Sequence, residues 1–229
     1  MKNYTIAEQF AVIALNAQDS LHESVAKNVA VVGIAAAKTV QTLLYEEENR
    51  DAAVFEQKLR EQLDGIKKMK RKERNALEKE FTDILKAEGI LKEIPNLLGC
   101  DMNYYTANVT MREYKSDSAL YQSLIEKIRA CALEQTELPE DIVILLWLFR
   151  ESGCMHDIFS QEEQERGQIK LIQAAEEKSL YKAILEQEFH SAVWLLGLKF
   201  MNWKHKIFTN PYLEGVNLMF PFLDRRQAI

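Results

Sequence analysis

The residues best equipped to do chemistry lie between Lys67 and Arg74. There Lys67, Lys68, Lys70, Arg71, Lys72 and Arg74 put six cations into eight positions of a chain whose formal net charge is -6. Lys and Arg at that density attract anions, and each one held near an anionic leaflet contributes about 1 kcal/mol. The competing reading is a solvated helix face, offset by Glu73, Glu78 and Glu80 and by the acidic stretches "YEEENRD" and "QEEQE" elsewhere. A general nucleic-acid binder is not expected, because phosphate affinity needs a surface rich in Lys and Arg and here acidic side chains outnumber basic ones 35 to 29.

Catalytic arrangements are sparse. His22, His156, His190 and His205 form no HExxH motif and have no carboxylates at metal-ligating spacing, so neither a metal nor a cofactor is expected. There is no GxGxxG, Walker-type loop or GxSxG. Cys154-Met155-His156 sets a thiol beside an imidazole, but catalytic Cys and His are brought together by folding rather than by adjacency, and no enzyme is expected. Cys100, Cys131 and Cys154 make an odd number without CxxC spacing, which argues against a disulfide framework or zinc site and for a reducing, cytoplasmic setting.

The elements that would position these residues read mainly as helix. At 229 residues, with 47% hydrophobic residues and only 8 Gly and 4 Pro, the chain suits one ordered core. Its start lacks a signal-peptide apolar region, because Glu8 and Gln9 interrupt it. The runs "VAVVGIAAA" and "IVILLWLF" are well short of the roughly 20 residues that span a bilayer, so they read as helices buried in protein.

Thr5-Ile6-Ala7-Glu8 has capping-box form and opens a first helix. The Ala- and Val-rich segment from Glu23 to Leu44 reads as a central buried helix, with strand as the competing assignment. Val54, Leu59 and Leu63 mark an amphipathic helix that Asp64-Gly65 is expected to stop. A further helix is expected from Ile66 to Gly89, with Ile66, Met69, Leu77, Phe81, Ile84 and Leu85 on one side and the six cations fanned over the rest.

From Ile90 to Met111 the composition turns to Leu, Ile, Tyr and Thr with turn residues, the pattern of a β-hairpin. Leu97 and Leu98 would sit at its tip, entering a membrane, meeting another copy, or folding back on the core. Leu120, Leu124 and Ile128, then Pro139 before a Leu-rich helix, then Ser160 with Glu163 as a second capping box, mark later helices. A last helix is expected from Leu180 to His205, followed by a tail that interleaves aromatic and basic residues.

The order of these elements resembles the Golgi phosphoprotein 3 family, over most of the chain to Lys199. "YTIAEQFAVIALN" is similar to that family's opening helix, and "LEKEFTDILKAEGILKE" with "NLLGCDM" to its helix running into a hairpin. "LIEKIRACALEQ", "EDIVILLWLF" and "SAVWLLGLK" follow in the order of its later core helices. The resemblance implies binding of phosphatidylinositol 4-phosphate at a membrane and an adaptor role towards a protein client. The family's headgroup pocket uses a Trp, an Arg and a pair of arginines, and the matching positions here are Val25, Ile34, Asn75 and Glu78. None is kept, although a shift of a few residues would bring Arg71 and Arg74 into the paired role.

The expectation is therefore a mainly α protein: a single helical domain with one protruding β-hairpin over residues 1–205, and a tail, 206–229, packed on that domain or a partner. Its expected function is a non-enzymatic, cytoplasmic or peripheral adaptor for an anionic lipid or phosphoinositide surface. The alternative is a structural or homo-oligomerisation module, with no lipid ligand, whose hairpin and tail make the interface.

Overall fold

The computed structural model describes residues 4–16, 23–46, 51–94, 113–134 and 137–189. Helix α1, Ile6–Ala14, begins as its capping box requires: the Thr5 hydroxyl accepts from the Glu8 amide at 3.2 Å, and the Glu8 carboxylate accepts from the Thr5 amide at 2.7 Å. Helix α2, Glu23–Tyr45, packs against it, and the expected central buried helix is present with nearly every side chain from Ala30 to Ala37 buried. The contact depends on a missing side chain. A Cβ at Gly33 would lie 2.4 Å from the Phe10 ring, so only glycine lets the two helices approach this closely.

Helix α3, Ala52–Lys67, starts where the Asp51 carboxylate accepts from the Ala53 amide at 2.8 Å. It does not stop at Asp64-Gly65. Phe55, Leu59, Leu63 and Ile66 form one buried stripe, and burying Ile66 outweighs the roughly 1 kcal/mol that a helical glycine costs.

The single helix expected from Ile66 to Gly89 is instead divided. Helix α4, Arg71–Ala87, begins after a non-helical joint at Met69 and Lys70. An unbroken helix would have set Lys67 against Arg71, Lys68 against Lys72 and Lys70 against Arg74, like-charge pairs each unfavourable by about 0.2–0.5 kcal/mol. The break takes Lys67 and Arg71, and Lys68 and Lys72, out of that helical spacing, while Lys70 keeps it with Arg74, whose amide donates to the Lys70 carbonyl at 3.0 Å. Of the predicted apolar side of α4, Phe81 and Leu85 are buried and Leu77 is half-buried, while Ile84 faces solvent at 43% exposure.

Helix α4 ends as the glycine signal indicates. Gly89 takes φ 72°, and the Ile90 amide reaches back to the Leu85 carbonyl at 2.9 Å, which satisfies the last carbonyls of the helix.

Strand β1, Leu91–Ile94, pairs antiparallel with β2, Glu113–Ser116, in the register Leu91 to Ser116 and Ile94 to Glu113. The second strand thus lies beyond the expected limit at Met111. Long-range bonds set that register: Ser116 donates from its hydroxyl to the Val12 carbonyl at 2.6 Å and from its amide to Asn16 Oδ1 at 2.9 Å. Leu97 and Leu98 lie outside the described residues, as do residues 206–229.

Helix α5, Ser118–Glu134, buries Leu124 and Ile128, and Leu120 packs partly against the same core. Helix α6, Glu140–Ser152, follows Pro139 and has no polar face to offer water, so Ile142 to Phe149 are all fully buried. Helix α7, Met155–Ile158, leads to α8, Gln161–Glu177, which opens with the predicted Ser160 and Glu163 box. Arg129 fastens α5 to this corner, donating to the Ile158 carbonyl at 2.7 Å and pairing with Glu163.

Helix α9, Ser179–Leu185, ends at Leu185, so the helix expected from Leu180 is interrupted over 186–189, and its remainder, 190–205, lies outside the described residues. Side chains of α6 take the backbone groups that a longer helix would use. Arg150 donates to the Leu185 carbonyl at 2.7 Å and Trp147 Nε1 to the Gln187 carbonyl at 2.8 Å, while Glu151 accepts from the Phe189 amide at 3.0 Å. The Phe189 ring meets Trp147 edge-on at 5.2 Å, completing a clamp on 185–189. The expected fold class, mainly helical with one antiparallel strand pair, is the one observed among the described residues.

Candidate anionic-surface site

The six predicted cations gather at the α3–α4 joint, but they do not act alike. Lys67 is committed to Asp64 at 3.0 Å, and that bond, with the nearby charges of Lys68 and Arg60, holds the Asp64 carboxyl below its ordinary range. Arg74 turns inward. Its guanidinium donates to the Met69 carbonyl at 2.6 Å, spanning the joint it helps to shape. Burial, followed by the positive charge of Arg71, pulls the Arg74 pKa below its usual value.

Lys68, Lys70, Arg71 and Lys72 remain exposed and make no ion pair among the described residues. Three of them surround the first turn of α4, whose amide dipoles already carry partial positive charge. Glu73 answers part of it by accepting from the Lys70 amide at 2.6 Å. Lysine has no acceptor to return that bond, so this helix start is held by one half of a capping box. The result is a small, water-facing positive knob between α3 and α4. Its geometry suits diffuse contact with an anionic surface better than a closed pocket for one headgroup.

The residues at the positions that the family resemblance assigns to a headgroup pocket point the same way. Ile34 is fully buried in the core, and Asn75 is exposed. Glu78 accepts from the Tyr114 hydroxyl at 2.9 Å. The Val25 side chain lies outside the described residues. Arg71 and Arg74 differ in setting, since Arg71 faces water and Arg74 is partly buried with its guanidinium bonded to the Met69 carbonyl.

Tyr114 was not singled out by its sequence, yet it links β2 to α4. Its ring is almost wholly buried beneath Lys86, which sits 5.2 Å from the ring centroid and pairs with Glu93 at 2.8 Å. Burial, then the charge of Glu78 and the hydrogen bond to it, push the Tyr114 hydroxyl up to about 12. The alternation in "REYKS" was the available signal, with Tyr114 and Ser116 on opposite sides of Lys115 and both buried. Through Tyr114 the strand pair lies back along α4, over about two turns from Lys86 to Glu78.

The Cys154-Met155-His156 stretch contributes no accessible thiolate. Cys154 is buried, which pushes its thiol up to about 12, and its sulfur contacts the Ser152 carbonyl at 3.9 Å. Among the described residues no group of three or more His, Cys, Asp or Glu side chains is placed to hold a metal ion. Likewise, no described helix is long and apolar enough to cross a membrane. No family model, curated protein or solved structure matches the chain.

Proposed function

We propose that the protein is a non-enzymatic, peripheral binder of anionic membrane surfaces that engages them through the α3–α4 joint. The observation that carries this reading is the knob formed by Lys68, Lys70, Arg71 and Lys72, exposed and without an ion pair among the described residues. At about 1 kcal/mol per cation near a charged leaflet, four together supply a weak, reversible attraction that salt screens. Leu97 and Leu98 would add apolar contact, strengthening a purely electrostatic hold. The resemblance to Golgi phosphoprotein 3 supports a membrane-surface adaptor with a protein client, while the residues at its pocket positions favour charge density over one particular headgroup.

Co-sedimentation with vesicles tests the reading. Binding should rise as phosphatidylglycerol or phosphatidylserine is added to phosphatidylcholine, fall with salt, and change little when phosphatidylinositol 4-phosphate replaces another anionic lipid at equal charge. Replacing Lys68, Arg71 and Lys72 together by Glu should abolish it. Binding that ignores anionic lipid, or survives the triple replacement, rejects the proposal. Light scattering of the full chain against one lacking 95–112 then addresses the oligomerisation alternative, for which an unchanged monomeric mass is decisive.

A further inference from the structure

The strand pair carries a charge conflict that the described residues do not resolve. In its register Lys92 stands directly opposite Lys115, and both are exposed. Like charges so placed, with Cβ atoms about 5 Å apart, destabilise a strand pair. Leu91, Tyr114 and Ser116 are buried on the inner face, so alternation leaves Lys92 and Lys115 on the outer one. Neither lysine makes an ion pair among the described residues. Glu93 lies on the inner face, where Lys86 pairs with it at 2.8 Å. The next pair of the register, Ile94 with Glu113, brings at most one carboxylate against two ammonium groups.

This outer face continues the basic joint. Lys72, Lys79 and Lys86 recur every seventh residue, about 20° short of two full helical turns each time, and so share one flank of α4. At its far end Lys86 joins that flank to the strand pair through Glu93 and the Tyr114 ring. Lys79, exposed and without an ion pair among the described residues, bridges the interval, which spans about 21 Å of helix from Lys72 to Lys86. We propose that Lys79, Lys92 and Lys115 form a second contact for an anionic leaflet, so that the protein lies on the membrane along α4 and the strand pair rather than touching it at the joint alone. The inference rests on the membrane-surface reading above. A leaflet suits this row because it offers many spaced anions and needs no pocket, and each of the two opposed lysines is relieved by its own headgroup.

Lysine footprinting tests the assignment in the full chain. A limiting dose of acetic anhydride, read by mass spectrometry, is compared between free protein and protein bound to phosphatidylcholine vesicles that contain phosphatidylglycerol. Lys79, Lys92 and Lys115 should be acetylated several-fold more slowly when bound, as should Lys68 and Lys72, whereas Lys127 on α5 and Lys182 on α9 should not change. Protection of Lys68 and Lys72 alone would overturn the inference and leave the membrane reading standing, while absence of binding to these vesicles would sink both. Variants give a second check. Lys92→Thr with Lys115→Thr keeps side chains that favour strands and should weaken vesicle binding by about tenfold. Lys127→Gln with Lys182→Gln removes the same net charge and should change binding little; equal loss in the two double variants also overturns the proposal. The urea midpoint of the threonine variant should match or exceed the parent's, since the like-charge conflict is gone. A lower midpoint would mean that the two lysines serve the fold, and would count against the proposal.

Discussion

Helices α4 and α6 treat water in opposite ways. Through α6, eight successive residues from Ile142 to Phe149 are fully buried, and even its polar end is occupied, with Arg150 and Glu151 gripping backbone at 185–189. Helix α4 buries only Phe81, Thr82 and Leu85, and its first turn is a cluster of exposed cations. The difference teaches where to look for function. A helix with no spare face can only build the domain, whereas one that gives a single stripe to the core has the rest of its surface free to meet a ligand.

The contrast is sharpest if the two regions respond differently to substitution, and α6 should show the largest effect. Trp147→Ala removes a fully buried ring, its bond to Gln187 and its contact with Phe189, and should cost about 3–5 kcal/mol, measured as a lower urea midpoint. Overpacking the same core comes next. Gly33→Ala forces a methyl against the Phe10 ring and should cost about 1–3 kcal/mol in the same measurement.

At the middle of the scale stands Tyr114, where α4 meets the strand pair. Removing its hydroxyl with Tyr114→Phe should cost about 1–2 kcal/mol near neutral pH. The effect on pH dependence is more diagnostic. A phenol whose folded pKa is about 12, above its unfolded value of 10.0, stabilises the fold fully below pH 10 and loses that contribution as pH rises towards 12. The loss amounts to about 2–3 kcal/mol. Denaturation midpoints followed from pH 9 to 12 should therefore decline less steeply in Tyr114→Phe; Cys154, raised in the same direction, accounts for part of the decline that remains.

The joint should show the smallest stability effects and a division within itself. Arg74→Met breaks the bond to Met69 and should cost about 1 kcal/mol, whereas Arg71→Met, facing water, should stay within about 0.5 kcal/mol of the parent. Equal melting shifts for the two would mean that Arg74 is as dispensable as its neighbour, and the contrast between an inward and an outward cation would fall. The surface replacements that barely move the melting temperature are the ones that should remove vesicle binding.

Much of the fold was legible wherever the signal is local. Thr5 with Glu8, and Ser160 with Glu163, are short-range pairs whose hydrogen bonds need nothing beyond one helical turn, and both formed as read. Gly89 ended α4 for the same reason. The joint at Met69 and Lys70 was not legible, since it contains neither Gly nor Pro and an apolar period runs across it. The hairpin was legible but its far end was read a few residues short, because the register of the second strand answers to Val12 and Asn16, about a hundred residues away in sequence. As for the candidate site, its cations could be counted in the sequence but not sorted.

By itself the sequence determined the helical class, the two capping boxes, the burial of "IVILLWLF" and the presence of six cations in eight positions, because each follows from side-chain chemistry over a few residues. Tertiary structure alone decided that the cations sit at a break between helices, that Arg74 serves the backbone and Lys67 pairs with Asp64, and that Lys68, Lys70, Arg71 and Lys72 face water. The physical reason is that a charge's role depends on what lies within a few ångströms of it. That distance is set by how α3 and α4 pack, not by their order along the chain.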